Sequence, residues 1–486
     1  MEKQINKFRI LSNLLWKLME MGGTQGIQFI VQLVLARLLF PEDYGVIAIV
    51  AIFITIARVF VHSGFNTALI QKKNVDEKDY SSVFFLSIFI SGIIYIILFL
   101  TSPFIAQFFR EPLLKPVLRV ISVILFLGAF KSVQVALIAR KLLFKKLFFS
   151  SLGAIIISGV IAIITAYLDY GVWALVIQQT LNNLFIVIIL LIVLKWRPKL
   201  YFSIKRIKIL FSYSWKLLLS SLIDHIYMNI RSIIVGRIYS SSTLGFYNNG
   251  KLFPNLIVKN INGSIQSVMF PVLSNQQDKI KNVKNIVRRS IVTSSFIIFP
   301  IMIGLAAISE SFIKIVLTDK WLPAVPFLQI FCFTYLLWPI HTANLQAIKA
   351  IGRSDIFLKL EIIKKASGIL ILIISVFYGL YAIVIGGVIS GIISTFINAY
   401  PNKRLLNYSY IDQLKDIIPS FLLSIFMGLL IFSINFISIN IYIKLILQIM
   451  IGILIYILLA RLFRLESYNY LKSTIKELYE KYMNIS

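Results

Sequence analysis

The chain has one cysteine, three histidines and only 20 acidic residues among 486. The single thiol, Cys332, excludes a disulfide within the chain, a zinc cluster and an iron–sulfur centre. His62, His225 and His341 have no cysteines or clustered carboxylates at ligand spacing, so no metal site is expected. A Walker loop is missing too, which excludes an ATP-driven cycle encoded in this chain. No connection is long enough to house the acid or base of a glycosyltransferase, polymerase or ligase. The chain is therefore expected to move something without converting it, and to need no cofactor.

What is abundant is apolar. Hydrophobic residues make up 58% of the chain, charged residues 14%, and the mean hydropathy is +0.87, which no soluble surface of this size tolerates. The formal charge of +29 would point to nucleic acid in a soluble protein. Here lysine and arginine concentrate in short connections between apolar runs, where they set topology, and no nucleic-acid partner is expected.

At about 20 residues per crossing, the apolar runs predict an all-α polytopic membrane protein of about fourteen transmembrane helices, centred near residues 25, 53, 92, 126, 157, 183, 222, 257, 300, 335, 368, 390, 427 and 452. Basic connections (Lys72-Lys73-Lys78, Arg140 to Lys146, Lys195 to Lys208, Lys279 to Arg289, Lys349 to Lys365, Lys403-Arg404 and the tail after Arg461) alternate with connections poor in lysine and arginine. The positive-inside rule then puts both termini in the cytoplasm. The basic stretch from Met1 to Arg9 leads into an apolar run without a small-residue cleavage site, which reads as a retained first helix.

A weak repeat recurs about 200 residues on. Trp16-Lys17 returns as Trp215-Lys216, Arg37 to Gly45 as Arg237 to Gly245, and Gly171 to Ile177 as Gly379 to Ile385. Three matches in one order predict two six-helix lobes, residues 1–205 and 206–408. Six is an even number, so the repeats run parallel, related by an axis along the membrane normal. Residues 409–464 add two further helices, and 465–486 read as an amphipathic cytoplasmic tail with Leu471, Ile475, Leu478 and Tyr482 on one face.

Several predicted spans carry polar stripes. A cation at the bilayer centre costs about 2.5–3.5 kcal/mol on the most lenient scale, so such residues face a watered, protein-lined cavity. Arg58, His62, Arg231, Lys251 and Lys259 are the candidate cationic lining, which suits an anionic cargo. Gln28, Asn66, Tyr227, Asn248, Asn255, Asn262 and Gln266 fall at helical spacing beside them as candidate polar lining. Helix 2 is expected to align Thr55, Arg58, His62 and Asn66 on one face. Glu20 and Asp224 are candidate ion-coupling residues, with local charge compensation as the alternative. Lys17, Arg37, Arg119, Lys216 and Arg237 read as cations snorkelling to the interface.

Ordered motifs then carry a resemblance. Leu35-Ala36-Arg37-Leu38-Leu39-Phe40-Pro41-Glu42-Asp43-Tyr44-Gly45, Ala68-Leu69-Ile70-Gln71, Ile234-Val235-Gly236-Arg237, Leu244-Gly245-Phe246-Tyr247-Asn248, Val268 to Ser274, Lys320-Trp321 and Gly352-Arg353-Ser354-Asp355 run from the first helix to about the eleventh. The chain resembles the polysaccharide flippases of the Wzx type in the MOP exporter superfamily. The resemblance implies a fourteen-helix, V-shaped bundle in the bacterial cytoplasmic membrane. Its expected partners are membrane lipids and an undecaprenyl-diphosphate-linked oligosaccharide carried to the outer leaflet, with a polysaccharide polymerase and chain-length proteins as further candidates. Arg231 and His62 stand where such proteins often carry aspartate. A lipid II flippase, a MATE-like drug or ion antiporter on the same fold, and a scaffold for glycan assembly are the competing readings.

Overall fold

The computed structural model describes residues 7–62, 65–72 and 75–483. Lys73, the residues before Lys7 and those after Met483 lie outside them. So do the side chains of Ile475, Leu478 and Tyr482 in the tail stripe.

All regular structure among the described residues is helical. In hydrocarbon every backbone N–H and C=O needs a partner within the segment, and long apolar runs supply one only as helix. The first helices are α1 (Lys7–Leu38), α2 (Pro41–His62), α3 (Phe65–Gln71), α4 (Glu77–Phe109), α5 (Leu114–Ile121), α6 (Ile124–Lys141), α7 (Phe144–Tyr167) and α8 (Val172–Leu194). Next come α9 (Ile204–Ile238), α10 (Ser241–Ser274), α11 (Ile280–Ala307) and α12 (Ser309–Val316). After a 3₁₀ turn follow α13 (Val325–Leu336), α14 (Trp338–Ala350), α15 (Ser354–Val376), α16 (Leu380–Ala399), α17 (Asn402–Leu405), α18 (Tyr410–Ser433), α19 (Ile441–Leu462) and α20 (Glu466–Met483).

Every predicted centre falls inside one of these helices. Among the described residues eleven helical segments are long and apolar enough to cross a membrane, which makes this a multi-pass membrane protein. The long helices α1, α10 and α15 fall outside that set; α10 carries the polar stripe and α1 carries Lys17, Glu20 and Gln28. Of the residues expected on that stripe, Thr55, Arg58 and His62 lie on α2 and Asn66 on the short α3.

The chain forms two compact units, Met1–Gly245 and Phe246–Ser486, with the division inside α10. In the first, α1 and α7 pack through Val31, Leu35, Ala162 and Ala166, joined by Ala174 and Leu175 of α8. A second cluster gathers Phe65 and Leu69 of α3, Val83 and Phe84 of α4, Val133 and Leu137 of α6, and Leu210 of α9. In the second unit, Phe296 of α11, Met427 of α18 and Tyr456 of α19 build a core onto which Tyr468 and Leu471 of α20 pack. Away from these cores, Phe104, Ile192, Leu429, Met450 and Leu454 are each at least 60% exposed, an apolar surface that only lipid satisfies.

Some element boundaries recur 200 residues apart. α1 ends at Leu38 and α9 at Ile238, and α2 begins at Pro41 and α10 at Ser241. Gly171 and Gly379, matched in sequence, both adopt left-handed φ (52° and 96°) immediately before α8 and α16.

Candidate functional site

α2 places Arg58 and His62 one turn apart, both half-buried. Opposite them runs α6, whose Gly128 brings backbone against the imidazole: a Cβ there would lie 3.9 Å from His62 Cε1. One turn on, α6 carries Lys131. The charges of Arg58 and Lys131 both bear on His62, and Lys131 also feels Glu20 of α1. Arg58, His62 and Lys131 thus form one basic cluster in the first unit. Sequence reasoning missed Lys131 because a lone lysine between Phe130 and Ser132 carries no stripe; only the packing of α6 on α2 reveals it.

Glu20 is held by Lys17, Nζ to Oε2 at 2.6 Å. Thr24 donates to the Glu20 carbonyl, and farther along α1 the Gln28 Oε1 accepts from Nε2 of the buried Gln178 at 3.2 Å.

On α9, Asp224, Tyr227 and Arg231 are half-buried. Two guanidinium nitrogens of Arg231, Nε and Nη2, are sealed from solvent without a hydrogen-bond acceptor, so Asp224 does not satisfy them. A buried charged donor without its acceptor costs several kcal/mol, and an incoming anion would recover that cost. Asn66 Oδ1 is likewise sealed and unpartnered.

In the second unit the α10 stripe grades from half-buried Asn248, Lys251 and Asn255 to exposed Lys259 and Gln266, with Asn262 between them 5% exposed and its Oδ1 unpartnered. Asn260, Ser264 and Ser267 are exposed as well, so the second half of the helix is polar over a broad face. Such a face needs water or a polar ligand.

The cations assigned to the interface are engaged locally. Arg119 lies 3.9 Å over the Phe99 ring and donates to Ser102 Oγ at 2.9 Å, and Arg237 lies 4.8 Å over Phe108. Half-buried His341 hydrogen-bonds with the buried Thr395 and Asn398, each at 3.0 Å. No cluster able to hold a metal occurs among the described residues.

This is a polytopic helical fold with charged residues along several of its helices, and it has a solved counterpart. The lipid II flippase MurJ in an inward closed conformation aligns with a TM-score of 0.74 over 93% of this chain and 98% of that one, at 18% identity, which establishes the fold. The family model described as polysaccharide biosynthesis protein matches residues 34–326, more than half of the chain, and the chain belongs to that family. It is 27% identical over 398 residues to the teichuronic acid biosynthesis protein TuaB of Bacillus subtilis (strain 168), covering 78% of this chain and 79% of that protein. It is also 24% identical over 404 residues to the lipopolysaccharide biosynthesis protein WzxC of Escherichia coli (strain K12), covering 81% and 79%.

Proposed function

We propose that the protein is a flippase that carries a polyprenyl-diphosphate-linked oligosaccharide from the cytoplasmic to the outer leaflet for surface polysaccharide biosynthesis. It works by alternating access and not as an enzyme. The unsatisfied guanidinium of Arg231 carries the reading: a diphosphate leaving water needs charged donors, and this side chain lacks an acceptor. Arg58, Lys131, Lys251 and Lys259 supply further positive charge, and His62 offers a ring nitrogen for hydrogen bonding. Gln28, Asn66, Tyr227, Asn248, Asn255, Asn262 and Gln266 hydrogen-bond the glycan. The names of TuaB and WzxC, both polysaccharide biosynthesis proteins, support the same cargo class.

In this reading α1, α10 and α15 also cross the membrane, giving fourteen spans. Residues 1–205 and 206–408 are the two lobes, 409–464 the added pair of spans, and both termini are cytoplasmic. Glu20 and Asp224 are the proposed ion-coupling carboxylates, and a polymerase and chain-length proteins the proposed downstream partners. The test is deletion of the gene with lipid-linked saccharides measured on each leaflet. Build-up on the cytoplasmic leaflet with loss of surface glycan supports the reading and identifies the cargo by mass. Unchanged intermediates with new sensitivity to cationic drugs overturn it in favour of a drug exporter.

A further inference from the structure

Three basic connections of the first unit, far apart in sequence, do not scatter over its surface. They converge on one open cavity of about 730 Å³. Lys72 comes from the α3–α4 connection, Arg140 from the end of α6, Tyr201 from the α8–α9 connection, and Lys205 and Arg206 from the first turn of α9; Asp76 completes the polar wall. Residues that only fix topology need not meet, because the positive-inside effect depends on their number near the span ends and not on their mutual placement.

The cavity is built by its own contacts. Arg140 donates Nη1 to the carbonyls of Leu69 (2.9 Å), Ile70 (3.0 Å) and Lys72 (2.6 Å), which closes the end of α3 and fixes one wall. Arg206 reaches Asp76 at 2.6 Å and the fully buried Asp79 at 2.9 Å, and Lys72 reaches Asp79 at 2.7 Å. Asp76 and Asp79 also form the capping box that starts α4, so they hold the cations on a rigid helix end. Lys78 lies 5.0 Å over the Tyr201 ring. Lys72 and Arg206 thus share two carboxylates while Arg140 binds carbonyls, and exposed Lys205 makes no ion pair among the described residues. Val75 and Ile209 give the same cavity an apolar side.

We propose that this cavity is a binding site for a lipid phosphate headgroup, separate from the polar walls of the transport path. An excess of fixed cations in a cavity beside spanning helices is the chemistry that holds anionic headgroups. The apolar side accepts the first carbons of the tail. An anionic phospholipid of the leaflet and the diphosphate of a polyprenyl carrier share that chemistry.

The test uses the purified full-length protein, with no transport step, so its failure is distinct from failure of the export reading. Native mass spectrometry compares retention of phosphatidylglycerol, undecaprenyl diphosphate and, as neutral control, phosphatidylcholine of matched chains. At least one phosphate lipid should be held above phosphatidylcholine. Lys205→Glu should weaken that retention about fivefold or more, the scale expected per surface cation. Lys205→Gln should weaken it less, and Lys359→Glu, at an exposed lysine outside the cavity, should not. Displacement of bound phosphatidylglycerol by equimolar undecaprenyl diphosphate marks the site as a docking point for cargo; retention of phosphatidylglycerol marks a resident phospholipid. Equal retention of all three lipids, or wild-type retention in a stably folded Lys205→Glu protein, overturns the proposal.

Discussion

Gly45 and Gly245 occupy matching places in the repeat and make reciprocal contacts. A Cβ on Gly45 would overlap the Ser241 carbonyl, and a Cβ on Gly245 would overlap the carbonyl of Pro41, the residue that matches Ser241. This reciprocal pairing brings two backbone segments of the first unit together with no side chain between them. Here it joins the first turn of α2 to the first turn of α10, backbone against backbone. Ser241 adds a hydrogen bond to Glu111, which ties the crossing to the end of α4.

Substitution at either glycine is therefore expected to cost the same kind of energy. Gly45→Ala and Gly245→Ala should each destabilise by about 1–3 kcal/mol, because the methyl group meets a carbonyl and not a flexible side chain. Gly26→Ala is the control, since a Cβ there meets nothing within 4 Å. Thermal unfolding of purified protein reads the difference. Equal melting temperatures for the Gly45 and Gly26 variants would remove the close crossing.

At Arg231, stability and export should move in opposite directions. Its unaccepted Nε and Nη2 make it a cost to the empty protein, so Arg231→Met should leave the melting temperature unchanged or raise it. Export of surface glycan should fall at normal protein level. A variant that unfolds would show that the guanidinium has a structural partner. One that exports normally would sink the electrostatic account of the cargo.

Lys131 should behave as a member of the Arg58 cluster. Lys131→Gln and Arg58→Gln are each expected to reduce export about tenfold, the worth of one charged hydrogen bond. The double variant should lose less than the product of the two, since groups acting on one ligand are not additive. Independent effects would place Lys131 outside the cluster.

Most helix positions were legible because they are long apolar runs, and the repeat was legible because turns need particular residues: Gly171 and Gly379 recur where left-handed φ is found. The α10 stripe was legible from spacing alone. Lys131 was not, because its role depends on which helix lies opposite. Convergence of the basic connections at Lys72, Arg140 and Lys205 was also hidden, since sequence shows their number but not where they meet.

The tail helix offers a pH test with a defined sign. Arg288 of α11 binds both Asp416 of α18 at 2.9 Å and Glu466 of α20 at 2.7 Å, and Arg289 lies 4.2 Å over Tyr470. Hydrogen bonding to Arg288 holds the Glu466 carboxyl below the usual carboxylate range, against a smaller opposing cost of partial burial. A depressed value means that the docking energy is fully present above the unfolded carboxylate value of about 4.3 and is lost as pH falls through the folded one. The side chain is 64% exposed, so solvent screens the pair and it contributes at most about 1 kcal/mol. Tyr468 and Leu471 remain packed on the α11–α19 core, so the start of α20 should loosen without global unfolding. A spin label on Ser473→Cys in a Cys332→Ser background should report greater mobility below about pH 4 than at pH 7. Glu466→Gln should show the mobile spectrum already at pH 7. If that variant keeps the immobile spectrum across the range, apolar packing alone docks the helix and the Arg288–Glu466 pair contributes nothing to it.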